Sequence, residues 1–360
     1  MRIPGKQNGS SGLSNSLKTL SASDNPPEAY LYHWHWLSSI PETLTFVNRH
    51  LHVKMGTRTV QFIFFANYFV GILAIALSVE TVFQLSLPLN SPAYYLLLFS
   101  GTVLYYTYAY AGPVRDTVSS NPRTEWYRTH HHFVQRSQQF LLLVCCTVGA
   151  WFFINHFKGI VALPAVYWLL IVLIPLSAAL YYGLLPKSLY SLNLRNTGWL
   201  KAFVIGFVWA GCVNILPVAM ARIEYGIEIA DPGFMLWLFI KNWMFCTVNA
   251  IMFDIKDYDD DNNRQLKTFV VRFGLNKTIS LILIPLLLIG LVSLITFTTY
   301  RHFGPVPILL NTIPFLCLLA VAFSLHTPKR ILYYLIVIDG LLLVKALCGI
   351  GGILYINHFQ

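Results

Sequence analysis

Charged residues are scarce in this sequence. Asp, Glu, Lys and Arg make up only 11% of its 360 residues, whereas a soluble domain carries about 25%. So little charge cannot cover a water-facing surface, which excludes a soluble globular fold. Hydrophobic residues make up 56% and aromatic residues 15%, and Trp and Tyr typically collect where lipid meets water. The composition therefore predicts an all-α bundle that crosses a membrane several times.

A signal peptide and paired cysteines are also missing. No apolar segment follows the first residues, so no cleaved signal peptide is predicted. The six cysteines lie inside apolar runs without the spacing of a zinc site or a disulfide framework, and we interpret them as packing residues. Residues 1–55 form a separate cytoplasmic region. Its start is too polar to order itself, and residues 30–55 have the mixture of Trp, Leu and polar groups typical of an interfacial segment.

Nine apolar runs follow, and they predict one transmembrane domain over residues 56–358. A helix needs about 20 apolar residues to cross roughly 30 Å of hydrocarbon, so each run can form one span. The predicted spans lie near 59–82, 93–111, 138–156, 160–184, 200–220, 233–253, 278–298, 306–325 and 331–355.

The net charge of +10 comes from Lys and Arg residues between these runs. They form no basic patch on a soluble fold, which excludes a nucleic-acid-binding protein. With the N-terminus inside, cytoplasmic segments hold 20 of the 25 Lys and Arg residues and outer segments hold three. The positive-inside rule then predicts a multi-pass protein of a plasma or inner membrane with a cytoplasmic N-terminus.

An aspartate cluster follows the sixth run. Five of the 15 acidic residues lie between Asp254 and Asp261. If the sixth span continues as a helix, Asp254, Asp257 and Asp261 share one face, because they stand at i, i+3 and i+7. Carboxylates this close repel one another unless a cation lies between them. Oxygen-only ligands favour Mg²⁺, which proteins commonly bind together with phosphate groups.

Basic side chains flank this cluster. Lys256, Arg264 and Lys267 can contact phosphate oxygens directly. The combination predicts a diphosphate held by metal and cations at the cytoplasmic membrane face. A solvated, charged loop is the alternative interpretation, since this is the usual role of a run of charges.

The pattern Asp254-x-x-Asp257-x-x-x-Asp261, with the Val-Arg-Phe-Gly sequence that ends at Gly274, resembles the second aspartate-rich motif of the UbiA superfamily of intramembrane prenyltransferases. A weaker likeness lies at Lys201–Ala210, where a basic residue precedes a Gly and Trp pattern. The resemblance implies a nine-helix fold and Mg²⁺ as cofactor. It also implies transfer of an isoprenoid chain from a prenyl diphosphate to a lipophilic or aromatic acceptor.

The resemblance implies roles for individual residues as well. Asp254, Asp257 and Asp261 would be the metal ligands, with Asp257 and Asp261 catalytic. Basic residues on the same side would bind the diphosphate: Lys201, Lys256, Arg264, Lys267 and Arg123. The metal stabilises charge on the leaving diphosphate, and a dry tunnel lined by aromatic rings protects and stabilises the carbocation.

The first aspartate-rich motif of that superfamily, Asn-Asp-x-x-Asp-x-x-x-Asp, is absent near the end of the second run. Tyrosines occupy this stretch, and the nearest carboxylate is Asp116. Three explanations stay open: one metal ion suffices, Asp116 and tyrosine hydroxyls replace the motif, or catalysis has been lost. The last would make the protein a non-catalytic isoprenoid-binding relative.

Further polar residues suggest other functions. Lys241, Asp339 and Lys345 lie inside apolar runs, as in an ion-coupled transporter, because intramembrane charges usually face the bundle interior. We favour pairing across helices, since Asp339 and Lys345 are six residues apart and are not good partners on one helix. The three histidines that begin at His130 lack the companion clusters of a di-iron enzyme, so we interpret them as loop residues that face solvent or lipid headgroups. The oligomeric state stays open.

Overall fold

The computed structural model describes residues 58–111, 122–182, 198–258, 266–327 and 329–359. These residues belong to one unit, Lys54–Gln360. They are almost entirely helical and include no strand, which confirms the predicted all-α class. The predicted region 1–55 and three predicted residues of interest, Asp116, Asp261 and Arg264, lie outside the described ranges.

The described helices can be numbered in chain order. They are α1 (Arg58–Phe65), α2 (Tyr68–Gln84), α3 (Pro92–Ala111), α4 (Pro122–Thr129), α5 (His131–Val161), α6 (Ala165–Tyr182), α7 (Leu200–Tyr225), α8 (Pro232–Lys256), α9 (Phe269–Phe273), α10 (Leu275–Tyr300), α11 (Pro305–Ser324) and α12 (Ile331–His358).

Six of these helices are long and apolar enough to cross a membrane, namely α5, α7, α8, α10, α11 and α12. The bent pair α1 and α2, which meet at 59°, adds a seventh if the two form one span. Helices α3 and α6 lie where two more spans were predicted, but α3 contains six tyrosines and α6 is short. The chain is therefore a multi-pass membrane protein, while the number of nine spans stays a prediction.

A buried arginine holds the break between α1 and α2. Asn67 adopts a left-handed conformation there (φ 65°), which ends the helical hydrogen bonding. The carbonyl of Phe65 accepts hydrogen bonds from Nη2 of Arg123 at 2.9 Å and from the hydroxyl of Tyr127 at 2.8 Å. Arg123 also donates to Oδ1 of Asn67. These contacts fix α4 against the break, because a buried carbonyl needs a donor.

Helices α7 and α8 pack closely and antiparallel. At Gly206, an added Cβ would lie 2.3 Å from the Thr247 hydroxyl oxygen, so only glycine allows this approach. Nearby, the indole nitrogen of Trp243 donates to the Phe203 carbonyl at 2.9 Å. This packing places the beginning of α7 beside the end of α8.

Buried polar side chains connect α2 with α7, α8 and α12. Glu80 and Lys345 form an ion pair at 2.6 Å. Beside this pair, Oδ1 of Asn214 accepts hydrogen bonds from Thr81, the next residue of α2, at 3.1 Å and from Asn242 at 2.9 Å. The predicted pairing across helices is thus confirmed for Lys345. Its partner Glu80 was not predicted, although it is an acidic residue inside the first apolar run.

Candidate functional site

Asp254 and Lys201 form a buried ion pair at one end of the bundle. Asp254 lies on the last turn of α8 and Lys201 on the first turn of α7, and the two side chains meet at 2.8 Å. Asp254 is 2% exposed and Lys201 is 8% exposed. A buried carboxylate requires such a partner, because desolvation penalises an unpaired charge. We call this end of the helices the Asp254 end.

Lys256 and Asp257 form a second, more accessible ion pair at the Asp254 end. Their charged atoms are 2.8 Å apart, and the side chain of Asp257 is 34% exposed. Helix α8 ends at Lys256, with Asp257 as its C-cap. The helix is thus interrupted at Asp257, and residues 259–265 lie outside the described ranges. Asp254 pairs with Lys201 and Asp257 with Lys256. Because Asp261 is not among the described residues, the shared face of the three aspartates stays a prediction.

Asp339 reaches the Asp254 end from α12. Its carboxylate lies near Asn249 on α8 and is close enough to Arg123 and Lys256 for electrostatic interaction. A π-helical turn, Tyr334–Ile338, directly precedes it, and such turns are frequent at functional sites. Sequence reasoning listed Asp339 only as a charge inside a span. It supplies a third carboxylate at this end among the described residues.

Arg123 and Lys267, both predicted to bind diphosphate, occupy different environments. Arg123 is buried, and its hydrogen bonds to Phe65 and Asn67 support the break before α2. Lys267 is exposed, and its backbone packs against Gly198 just before α7. Gly198 has φ +66°, and an added Cβ would lie 2.3 Å from the Lys267 carbonyl oxygen.

The implied Mg²⁺ would need several oxygen ligands at the Asp254 end. Within the described ranges, no group of three His, Cys, Asp or Glu side chains is placed to hold a metal ion. Each of the two carboxylates is paired with a lysine, and Asp257 is the more accessible one, with its side chain 34% exposed. Phosphate and water oxygens are the usual further ligands of Mg²⁺.

An apolar cavity of about 460 Å³ lies among α2, α3, α6 and α7, within the range of about 300–1,000 Å³ common for small-molecule sites. Helix α7 lines it with residues at positions i+3, i+4, i+7, i+8 and i+11 from Lys201. They are Val204, Ile205, Val208, Trp209 and Cys212. These spacings lie on one face of a helix. We call these five residues the apolar stripe of α7. Lys201 lies on the same face of the helix, one turn before the stripe begins.

Tyrosines of α3 line the opposite wall. Tyr105 donates to the Ala178 carbonyl at 3.4 Å, and the hydroxyl of Tyr106 accepts a hydrogen bond from the Trp209 indole. Both tyrosines belong to the stretch where the first aspartate-rich motif is absent. Because these hydroxyls bond to neighbouring helices, the rings are held in the cavity wall.

Comparison with known protein families shows that residues 136–331 match the UbiA prenyltransferase family. The match covers more than half of the 360 residues and includes α7 and α8, which carry Lys201, Asp254 and Asp257. No curated protein sequence and no solved structure matches the chain. A helical membrane bundle with an acidic and basic end, taken with this match, identifies the chain as a member of the UbiA prenyltransferase family.

Proposed function

We propose that this protein transfers an isoprenoid chain from a prenyl diphosphate to a lipophilic or aromatic acceptor, with Mg²⁺ as cofactor. The observation that carries the proposal is the position of Lys201. This lysine pairs with Asp254 at the polar end of α7 and heads the apolar stripe that lines the cavity. A prenyl diphosphate has the matching division, with an anionic head and an apolar tail.

Cationic side chains at the Asp254 end would bind the diphosphate. Lys201 contacts Asp254 and Lys256 contacts Asp257, and an ammonium group can exchange a carboxylate contact for one to a phosphate oxygen. Asp257 would hold Mg²⁺, which supplies neutralisation of the charge that builds on the leaving diphosphate. The same residues orient the allylic carbon–oxygen bond towards the cavity.

The reaction would break this carbon–oxygen bond, and the electron pair would leave with the diphosphate. The acceptor then forms a bond to the allylic carbon and loses a proton. Trp209, Tyr105 and Tyr106 line the near part of the cavity. Their ring faces stabilise positive charge on the chain, and the apolar wall keeps water from competing with the acceptor.

A non-catalytic isoprenoid-binding protein is the second candidate. It is favoured by the absence of the first aspartate-rich motif and by the ion pair that occupies Asp254. The transporter alternative has less support. Lys345 is buried in its pair with Glu80, and Lys241 is 7% exposed beside Asn311, so both lie in a closed core.

The two candidates differ in whether diphosphate is released. Purified protein in detergent would be given Mg²⁺, prenyl diphosphates of several lengths and a panel of aromatic acceptors, and diphosphate and prenylated product would be measured. We expect Asp257→Asn to lower the rate by about 100-fold or more, the usual effect of removing a charge-stabilising group.

The control is Lys277→Gln, which removes an exposed lysine and should leave the rate unchanged. If the wild-type protein binds the diphosphates but releases none with any acceptor, the catalytic proposal fails and the binding protein is favoured. Full activity of Asp257→Asn would show that Asp257 is not an essential metal ligand.

A further inference from the structure

The cavity follows α3 for most of its length. Its lining residues on this helix run from Tyr106, near the Asp254 end, to Tyr94. Twelve residues of α-helix rise about 18 Å. An isoprene unit contributes four carbon–carbon bonds of about 1.5 Å, or roughly 5 Å when extended. The cavity therefore has room for about three to four units in a line.

Gly101 lies in the middle of this wall. A Cβ added at Gly101 would meet no atom within 4 Å, whereas one added at Gly71 would lie 2.6 Å from the Phe99 ring. Close helix packing thus explains the glycine at 71 and does not explain the one at 101. Glycine inside a helix is unfavourable relative to alanine. At position 101 its effect is to leave the cavity open.

Tyr94, Leu216 and Met220 line the far end of the cavity. Tyr94 is held in place, since it is 2% exposed and its hydroxyl lies 3.1 Å from the Ser78 hydroxyl. Met220 has an unbranched, adaptable side chain. It is therefore the residue at this end whose truncation would lengthen the cavity with least disturbance.

We infer that Gly101 and Met220 determine the length of the isoprenoid chain that this protein accepts. The inference rests on the proposed function, in which the chain extends from the Asp254 end into the cavity. Gly101 lies five residues from Tyr106, or about 7.5 Å along the helix. A large side chain at 101 would leave room for about one to two units in the cavity, measured from Tyr106. The intact cavity accepts about three to four.

Binding of unreactive prenyl thiolodiphosphates with two to five isoprene units tests this inference without requiring turnover. The purified full-length protein in detergent would be compared with Gly101→Leu, Gly101→Ala and Met220→Ala. We expect Gly101→Leu to weaken binding of the three- and four-unit compounds at least tenfold relative to the two-unit compound. Gly101→Ala should weaken binding of these longer compounds by a smaller factor. Met220→Ala should bind the five-unit compound more tightly than the wild-type protein does.

The matched control is Gly351→Leu on α12. An added Cβ there would meet only Leu310 at 3.9 Å, and Leu310 does not line the cavity. An unchanged length preference in both Gly101→Leu and Met220→Ala would overturn the inference. It would also be overturned if Gly101→Leu weakened binding equally for all lengths and Met220→Ala bound every compound as the wild-type protein does. Thermal unfolding of each variant identifies a folding defect.

These binding measurements, taken together with the product assay with reactive prenyl diphosphates, separate this inference from the proposed function. Binding that shifts with length, without any prenylated product, rejects the prenyltransferase proposal and supports the role of Gly101. Product formation with an unchanged length preference supports the prenyltransferase proposal and rejects the role of Gly101 and Met220 in chain length. Failure of the wild-type protein to bind any of the compounds rejects both.

Discussion

The ion pair of Glu80 with Lys345 lies outside the Asp254 end and the cavity lining. Glu80 is fully buried, and Lys345 is 5% exposed. Gly349 makes room for the carboxylate, because an added Cβ would lie 2.4 Å from Oε1 of Glu80. Two residues of α12 thus accommodate one side chain of α2. At the scale of single residues, this pair joins the first and last described membrane helices.

Removing one partner of this pair should strongly destabilise the protein. We expect Lys345→Met to lower the free energy of unfolding by about 3–5 kcal/mol, since it leaves a buried carboxylate without its counter-charge. The double variant Glu80→Leu with Lys345→Met should recover most of the loss, because no buried charge remains. Unfolding of the purified protein in detergent would measure both. Equal stability of the single and double variants would contradict the expected coupling, and exposed Lys277→Met should have no effect.

Among the helices, α4 has a structural task that the sequence did not suggest. Arg123 was predicted to bind diphosphate, and that role stays a prediction. Its described hydrogen bonds go to the break between α1 and α2, where a left-handed residue interrupts the helix. The arginine is also close enough to Asp339 on α12 for an electrostatic interaction. Through its hydrogen bonds, this side chain links α4 to the end of α1 and to the residue before α2.

Loss of this link should loosen α1. We expect Arg123→Met to destabilise the protein by about 1.5–3 kcal/mol, the value of a hydrogen bond to a charged group, and to increase amide hydrogen exchange around Phe65. Arg128→Met is the control on the same helix, because its side chain is 62% exposed and its ion pair is with Glu125 on the same helix. Unchanged exchange and stability in Arg123→Met, combined with weaker diphosphate binding, would assign this residue to the ligand alone.

The membrane orientation concerns the whole molecule. The distribution of Lys and Arg places the Asp254 end in the cytoplasm if the N-terminus is inside. An odd number of spans, whether seven or the predicted nine, puts the two termini on opposite sides. This follows from counting alone and does not depend on any contact in the bundle.

Terminal tags test this orientation. A tag at the N-terminus should be protected in sealed right-side-out vesicles and a tag at the C-terminus should be accessible. Permeabilised vesicles, in which both tags must react, provide the control. Protection of both tags would require an even number of spans, and the reverse pattern would place the Asp254 end outside.

Local patterns in the sequence were enough to predict the helices. Bilayer thickness sets the number of apolar residues that a spanning helix needs, so an apolar run of that length predicts a helix. The runs 93–111 and 233–253 correspond closely to α3 and α8. The aspartate spacing was equally local, and it identified the family that the later comparison shows. Its extension to a shared carboxylate face stays a prediction, because Asp261 lies outside the described residues, and the structure adds a separate lysine partner for each described aspartate.

Composition, span positions and the family motif were thus determined by the sequence itself, since each depends on residues that are close along the chain. The partners of buried charges were decided by tertiary structure alone. Glu80 and Lys345 are 265 positions apart, and no periodicity relates them. The cavity is likewise a space between four helices, and the open volume at Gly101 depends on how those helices pack. Contacts through space, which no single segment encodes, also bring Lys201 to Asp254.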